Sequence, residues 1–334
     1  MLHEQNAYRI GIIGTGRIAH RFVPEARCIR DVCVQSVYNP HWESAVRFAD
    51  KWELQACKTL EAFLKDIDIV YIATPHETHY TYALAALEEG RHVLCEKPLA
   101  LQREQAKHLY DYARQHQLVL MEGIKTCYFP CFHEILRVVR SGRIGRVCNV
   151  EACFTKLENP QKRELVDTKY GGSFRELGSY VIMPILKFFG TAPVDLRFES
   201  IDDDRGIDLF TKTSLRYREG VATATCGLGV KSDGRLLVSG TKGYIVVPAP
   251  WWLTSQFEIH YEDPHQIDRY EKPFLGDGLR YELTELLQRI DHPGEPQTTG
   301  LAEKESIALA GMMEAFGRAH SEDFAEEVKK QGGA

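Results

Sequence analysis

Three side chains in this sequence have the types and spacing of an acid–base apparatus. Lys97 stands in Cys95-Glu96-Lys97-Pro98, and Glu176 and Tyr180 stand four residues apart in Gly171-Gly172-Ser173-Phe174-Arg175-Glu176-Leu177-Gly178-Ser179-Tyr180. On a helix that spacing puts a carboxylate and a phenol on one face, so one short helix offers both to the same cleft. An unperturbed phenol titrates near 10, roughly three units too high for base work at neutral pH, a gap of about 4 kcal/mol. An ammonium about 4 Å away supplies up to about 4 kcal/mol at an effective dielectric of 20. Lys97 alone would nearly close the gap, whereas desolvation of the phenolate and an ionised Glu176 both widen it. A packing tyrosine and a capping glutamate are the other reading of the same pair.

A second constellation is a G-x-G-x-x-A loop, Gly14-Thr15-Gly16-Arg17-Ile18-Ala19, directly after the apolar run that ends at Ile13. Gly14 permits a tight turn, Gly16 lets backbone amides approach a pyrophosphate, and small Ala19 allows close packing of helix on strand. The helix that follows points its N-terminus at the anion. The predicted strand before the loop and helix after it make this a dinucleotide-binding fingerprint. The acid that would hold a ribose hydroxyl is expected at the end of the second strand, where Val37-Tyr38-Asn39-Pro40-His41 stands instead. Asn39 can hydrogen-bond a ribose, but without the charge-assisted bond an Asp gives, and no arginine follows to hold a 2′-phosphate. NAD and NADP both remain open.

The third constellation is Thr74-Pro75-His76-Glu77-Thr78-His79, after the third predicted strand, with Glu96-Lys97-Pro98 after the next. Both fall at C-terminal strand ends, the edge of an open α/β sheet where ligands bind, so Lys97 is expected over the cofactor crevice.

The glycine loop, Thr74-Pro75-x-x-x-His79 and Glu96-Lys97-Pro98, in that order, resemble the signatures of the Gfo/Idh/MocA oxidoreductases, the glucose-fructose oxidoreductase and inositol dehydrogenase family, over most of the chain. The family's glycine-rich stretch leading to an Asp and, four residues on, a His or Tyr is matched by Gly171 to Tyr180, with Glu176 where Asp is usual. Tyr180 in place of His is similar to the glucose-fructose oxidoreductase and dihydrodiol dehydrogenase branch. The resemblance implies a Rossmann domain, then an open-faced sheet whose outer face builds a homodimer or homotetramer, with the nicotinamide between them. It implies that Lys97 touches both substrate and nicotinamide, that Tyr180 exchanges the substrate's hydroxyl proton, and that the bond before Pro98 is cis. Gly14, Thr15, Gly16, Arg17, Ile18, Asn39, Thr74, Pro75, His79, Glu96 and Lys97 are expected around the cofactor. Lys125, Phe154, Trp251 and Trp252 are candidates for a substrate wall, with apolar core the other reading for the aromatics.

The elements that must position these residues are legible from periodicity. From Tyr8 to Glu122 short apolar runs alternate with amphipathic stretches, which predicts a parallel, doubly wound sheet over residues 1–123. From 124 on, closely spaced alternating runs at 147–156, 194–200, 207–215, 220–229, 235–238 and 243–247 predict a mostly antiparallel sheet in an α+β domain. A helix near 176–189 should carry Glu176 and Tyr180, and helices near 278–290 and 302–320 should close the chain, the last packing back on the first domain. The polar stretch from Glu326 is expected to lie outside regular structure.

The bulk properties narrow the function classes. The 334 residues suggest two domains, and 41 Lys+Arg against 47 Asp+Glu give a net charge of −6, with no basic run for nucleic acid or lipid. The nine cysteines are odd in number and fall largely in apolar runs, which suits a reducing cytoplasm, and the closest pair, Cys127-x-x-x-Cys131, lacks the second close pair or nearby His pair that a zinc site needs. No apolar stretch approaches a membrane span. Together with the resemblance to the Gfo/Idh/MocA oxidoreductases, the signatures imply an NAD(P)-dependent oxidoreductase acting on a sugar, polyol or related cyclic alcohol or ketone, without a metal. The rival readings are a non-catalytic dinucleotide-binding sensor or assembly protein, and an enzyme whose tightly held NAD drives elimination or glycoside cleavage.

Overall fold

The structure is a computed structural model that describes residues 7–295 and 300–331, with side chains as far as 321. The chain divides into two compact units: one runs to Tyr128 and includes Leu275–Ser306, the other comprises Phe129–Phe274 and the chain from Ile307 on. The returning segment is thus Leu275–Ser306, whereas the last helix, expected against the first domain, belongs almost wholly to the second unit.

The first unit runs β1 (Tyr8–Ile13), α1 (Arg17–Ala26), β2 (Val32–Tyr38), α2 (Trp42–Trp52), β3 (Gln55–Cys57), α3 (Leu60–Leu64), β4 (Ile69–Ile72), α4 (His79–Glu88), β5 (His92–Glu96), α5 (Arg103–Gln115) and β6 (Leu120–Gly123). The strands form one parallel sheet in the order β3-β2-β1-β4-β5-β6, the doubly wound arrangement that reverses at β1. Helices on both faces bury these strands, which is why β4 reads as an unbroken apolar run with all four residues buried. Short β3 and α3 lie below what periodicity detects.

The second unit runs α6 (Pro130–Arg140), β7 (Val147–Thr155), α7 (Ser173–Phe189), β8 (Asp195–Asp202), β9 (Asp208–Arg216), β10 (Val221–Gly227), β11 (Leu236–Gly240), β12 (Tyr244–Val247), β13 (Gln256–His260) and β14 (Ile267–Glu271). Its eight strands are ordered β14-β13-β12-β11-β7-β10-β9-β8, antiparallel except for β7 beside β10. Helix α7 covers β7, β9 and β10. The alternation of buried and accessible residues along β9 and β10 records that one face is covered.

Two helices close the chain: α8 (Leu279–Asp291) in the first unit and α9 (Glu303–Gln331), which begins there and continues into the second. The stretch from Glu326, expected outside regular structure, is helical as far as Gln331, because its Glu, Lys and Gln are good helix formers continuing an established helix. Residues 332–334 lie outside the described ones. Among the described residues no helix is long and apolar enough to cross a membrane.

Candidate active site

Gly14 follows β1 with φ of 102°, and a Cβ there would meet the Ala73 carbonyl oxygen at 2.3 Å, so only glycine fits the turn. Its N–H donates to the Tyr38 carbonyl at 2.9 Å. Gly16 is the N-cap of α1, has no side-chain cap, and a Cβ on it would meet nothing within 4 Å. The first-turn amides of α1 therefore face an open cradle rather than a protein acceptor, which is what a pyrophosphate requires. Thr15 and Ile18 are half-buried and Arg17 is exposed at this mouth. Asn39 is engaged by protein at both ends: its amide donates to Thr15 Oγ1 at 2.9 Å, and its carbonyl accepts the His41 N–H at 2.8 Å.

At the ends of β4 and β5 the other two motifs lie together. Thr74 accepts a hydrogen bond from the Thr78 hydroxyl at 2.8 Å, and Pro75 is exposed. His79, expected to line the cofactor, is wholly buried instead. Its Nδ1 lies 2.7 Å from the Pro98 carbonyl oxygen and its Nε2 lies 2.9 Å from that of Thr74, so the ring ties the threonine turn to the residue after Lys97. Burial, then the neighbouring His76, lowers its pKa to about 4. The peptide bond from Lys97 to Pro98 is cis. Glu96 and Lys97 are each 8% exposed, and the Tyr71 hydroxyl donates to Glu96 at 2.7 Å. Burial raises the Glu96 pKa, with the Tyr71 hydrogen bond, Lys97 and Lys125 opposing.

Sequence reasoning missed two acids here. Glu122 in β6 is 1% exposed and accepts the Leu99 N–H at 3.0 Å and the Ser306 hydroxyl; burial pushes its pKa up to about 7. Glu282 in α8 is wholly buried beneath the same strand ends. Half-buried Lys125 donates to the Asp277 carbonyl at 2.8 Å, and burial lowers its pKa. The signal for both acids was present: each interrupts an otherwise apolar run or face.

In the second unit, α7 carries Glu176 and Tyr180, both half-buried, on one face as the spacing predicts. The helix has no N-cap of its own. Asp208, at the start of β9, caps it instead, its Oδ2 accepting the Phe174 N–H at 2.8 Å and the Thr211 hydroxyl at 2.7 Å, while Ser173 Oγ donates to the Asp208 carbonyl at 2.9 Å. Gly172 before α7 answers to this approach: it has φ of 103°, and a Cβ on it would fall 1.9 Å from Asp208 Oδ1. Phe154 in β7 meets the Tyr180 ring edge to face, centroids 5.3 Å apart, and stacks on Trp252 at 3.6 Å. Trp251 does not join them. It is wholly buried and its indole N–H donates to the Cys153 carbonyl at 2.9 Å, so adjacent tryptophans in one helical turn serve opposite sides.

Residues 8–124 match the model of an oxidoreductase family with an NAD-binding Rossmann fold, and residues 132–246 match the GFO/IDH/MocA C-terminal domain. The chain is 28% identical over 324 residues to a trans-1,2-dihydrobenzene-1,2-diol dehydrogenase of Danio rerio, covering 92% of this chain and 95% of the relative. It is 30% identical over 236 residues to a dTDP-3,4-didehydro-2,6-dideoxy-alpha-D-glucose 3-reductase of Actinomadura kijaniata, covering 67% of this chain and 69% of that one. A solved structure of a 3-ketoreductase from Actinomadura kijaniata, in complex with TDP-benzene and NADP, superposes with a TM-score of 0.79 at 25% identity, over 93% of this chain and 97% of that one. With the glycine cradle open to a dinucleotide and both domain types matched in order, the chain belongs to the Gfo/Idh/MocA family of NAD(P)-dependent oxidoreductases.

Proposed function

We propose that Lys97 and Tyr180 are the polarising and proton-exchanging groups of a hydride transfer between nicotinamide and a cyclic carbon that bears an oxygen beside it, as in a sugar, a polyol or a cyclic diol. The observation that carries the reading is the glycine cradle: a turn only glycine can make, leading to a helix N-terminus without a side-chain cap among the described residues. Gly14, Thr15, Gly16, Arg17 and Ile18 hold the pyrophosphate, Asn39 faces the ribose, and Thr74, Pro75, Glu96 and Lys97 surround the nicotinamide. NAD or NADP, when bound, supplies or accepts the hydride. His79 acts through the backbone on either side of it.

Lys97 polarises the substrate oxygen, and Tyr180 gives or takes the hydroxyl proton. Phe154 and Trp252 form an aromatic platform beside the phenol, suited to the apolar face of a ring. The trans-1,2-diol and the didehydro sugar named for the relatives share a ring with adjacent oxygens, which supports this substrate class. We further infer that the chain works in a reducing cytoplasm, in keeping with nine free cysteines, as a homodimer or homotetramer through the face of the second sheet opposite α7, where Glu151, Lys212 and Ser214 are exposed.

The test is Lys97→Met, assayed by nicotinamide absorbance against cyclic 1,2-diols and nucleotide sugars. Turnover should fall by at least about a hundredfold, with cofactor affinity little changed; full turnover in the variant contradicts the assignment. Light scattering of the purified protein checks the oligomer, and a monomer at micromolar concentration contradicts it.

A further inference from the structure

Glu282 lies in the first turn of α8, is wholly buried, and among the described residues has no hydrogen-bond partner on either carboxyl oxygen. Its place relative to the sheet is fixed by β6, whose last residue is Gly123: a Cβ there would stand 3.4 Å from Oε1 and 3.5 Å from Oε2. Gly123 pairs with Glu96, so the acid sits under the strand ends that carry Glu96 and Lys97. That edge is the half of a doubly wound sheet that takes the nicotinamide mononucleotide, the other half taking the adenosine. A buried carboxyl that no donor reaches is held as the neutral acid. Burial, and then the neighbouring Glu96, raise its pKa well above the ordinary range, with Lys125 opposing.

We propose that Glu282 is a redox-linked proton site, giving up a proton when the oxidised cofactor binds and taking one back when the nicotinamide is reduced. The inference rests on the NAD(P) reading above. The oxidised ring carries one positive charge and the reduced ring none, so, unlike Lys125, the ring is a cation that comes and goes with the redox state. When an alcohol is oxidised, its C–H bond breaks with the electron pair leaving as hydride, its O–H bond breaks, and C=O forms. The hydroxyl proton passes to Tyr180 and from there to solvent, and the Glu282 carboxylate takes up one proton from solvent as the ring loses its charge, so the proton count closes. Ring and acid together are neutral before and after, and no net charge is left buried. Glu282 touches no reacting atom, so it is a positioning residue for charge.

The charged and titratable groups on the elements packed around it are Cys95, Glu96 and Lys97 at the end of β5, Glu122 in β6, Lys125 and Tyr128 in the turn after β6, Arg21 and Glu25 on α1, and Glu285 and Arg289 further along α8. Glu25 is held ionised by Arg280 and three backbone N–H groups. Glu96 and Glu122 are the rival carriers, but both already accept hydrogen bonds.

The experiment is isothermal titration of the intact protein with oxidised and reduced forms of NAD and NADP, each in two buffers of different ionisation enthalpy, which reads protons exchanged per cofactor bound. The expected result is release of roughly half to one proton with the oxidised form and about none with the reduced form, with release lost in Glu282→Gln and kept in Glu122→Gln and in Tyr71→Phe, which unties Glu96. Release retained in Glu282→Gln, or lost in either of the other variants instead, overturns the proposal. The wild type also tests it alone: its affinity for the oxidised form should tighten by up to about tenfold per pH unit across the titration, while that for the reduced form stays level. Level affinity for both forms overturns the proposal and leaves the NAD(P) reading standing. Failure of every form to bind overturns both.

Discussion

Tyr180 reaches its place as a half-buried phenol edge-on to Phe154, on a helix face shared with Glu176. Removing its hydroxyl in Tyr180→Phe keeps the ring packing and deletes the exchangeable proton. We expect kcat to fall by about a hundred- to ten-thousandfold with KM little changed; a kcat within threefold of wild type in steady-state assays would remove Tyr180 from the mechanism. Asn39 decides a subtler matter. Its amide donates to Thr15 Oγ1, a bond that Asn39→Asp can keep with the threonine hydroxyl as donor. The added carboxylate favours a ribose 2′-hydroxyl and repels a 2′-phosphate, so the ratio of NAD to NADP affinity should rise by about tenfold or more. An unchanged ratio would place the ribose away from Asn39. At this scale the sequence showed residue types that announce chemistry: the glycine loop, Lys97, Glu176 and Tyr180. It did not show orientation. His79 and Trp251 carry the same symbols whether they face a ligand or the core, and only the fold turns both inward.

The two helices that matter most, α7 and α8, are each capped from elsewhere in the chain. Asp208 caps α7 from β9; Glu25 on α1 caps α8, accepting the N–H groups of Asp277, Gly278 and Arg280 and the Arg280 guanidinium at 2.7 Å. Neither cap is visible locally, because the Glu25–Arg280 pair spans 255 residues. Glu282, by contrast, was open to detection, since it shares the buried face of Leu279, Leu283 and Leu286. Glu25→Ala leaves a half-buried guanidinium and three amides without their acceptor, and should cost about 2 kcal/mol in urea unfolding. A loss below about 1 kcal/mol would show that water replaces the cap. Asp208 gives a signed pH dependence. Burial pushes its pKa from 3.8 up to about 6, against hydrogen bonds from Thr211 and Phe174 and the charges of His320 and Arg175. Between those values the folded protein keeps a proton that the unfolded chain has released. Stability from this group is therefore greatest in acid and declines as pH rises from about 4 to 6, by on the order of 2 kcal/mol. Asp208→Asn should flatten that part of the unfolding profile, whatever it does to absolute stability; an unchanged slope would mean the acid titrates normally.

For the whole molecule, the parallel and antiparallel halves were legible because their burial patterns differ: unbroken apolar runs in β4 against alternation in β9 and β10. The weave of the chain was not. Nothing local in Leu275–Ser306 marks it as part of the first unit, since that assignment depends on contacts such as Glu25 with Arg280 and Glu122 with Ser306. The cofactor is the ligand whose binding tests the account at its base. The direct measurement is thermal unfolding of cofactor-stripped protein with NAD(H) and NADP(H) titrated separately. Ligand at 100 times its dissociation constant should stabilise by about 2.7 kcal/mol, a rise in Tm of several degrees. A saturable shift with at least one of the two pairs is the predicted result; no shift with either at millimolar concentration would contradict dinucleotide binding at the glycine cradle, and with it the hydride transfer assigned to this protein.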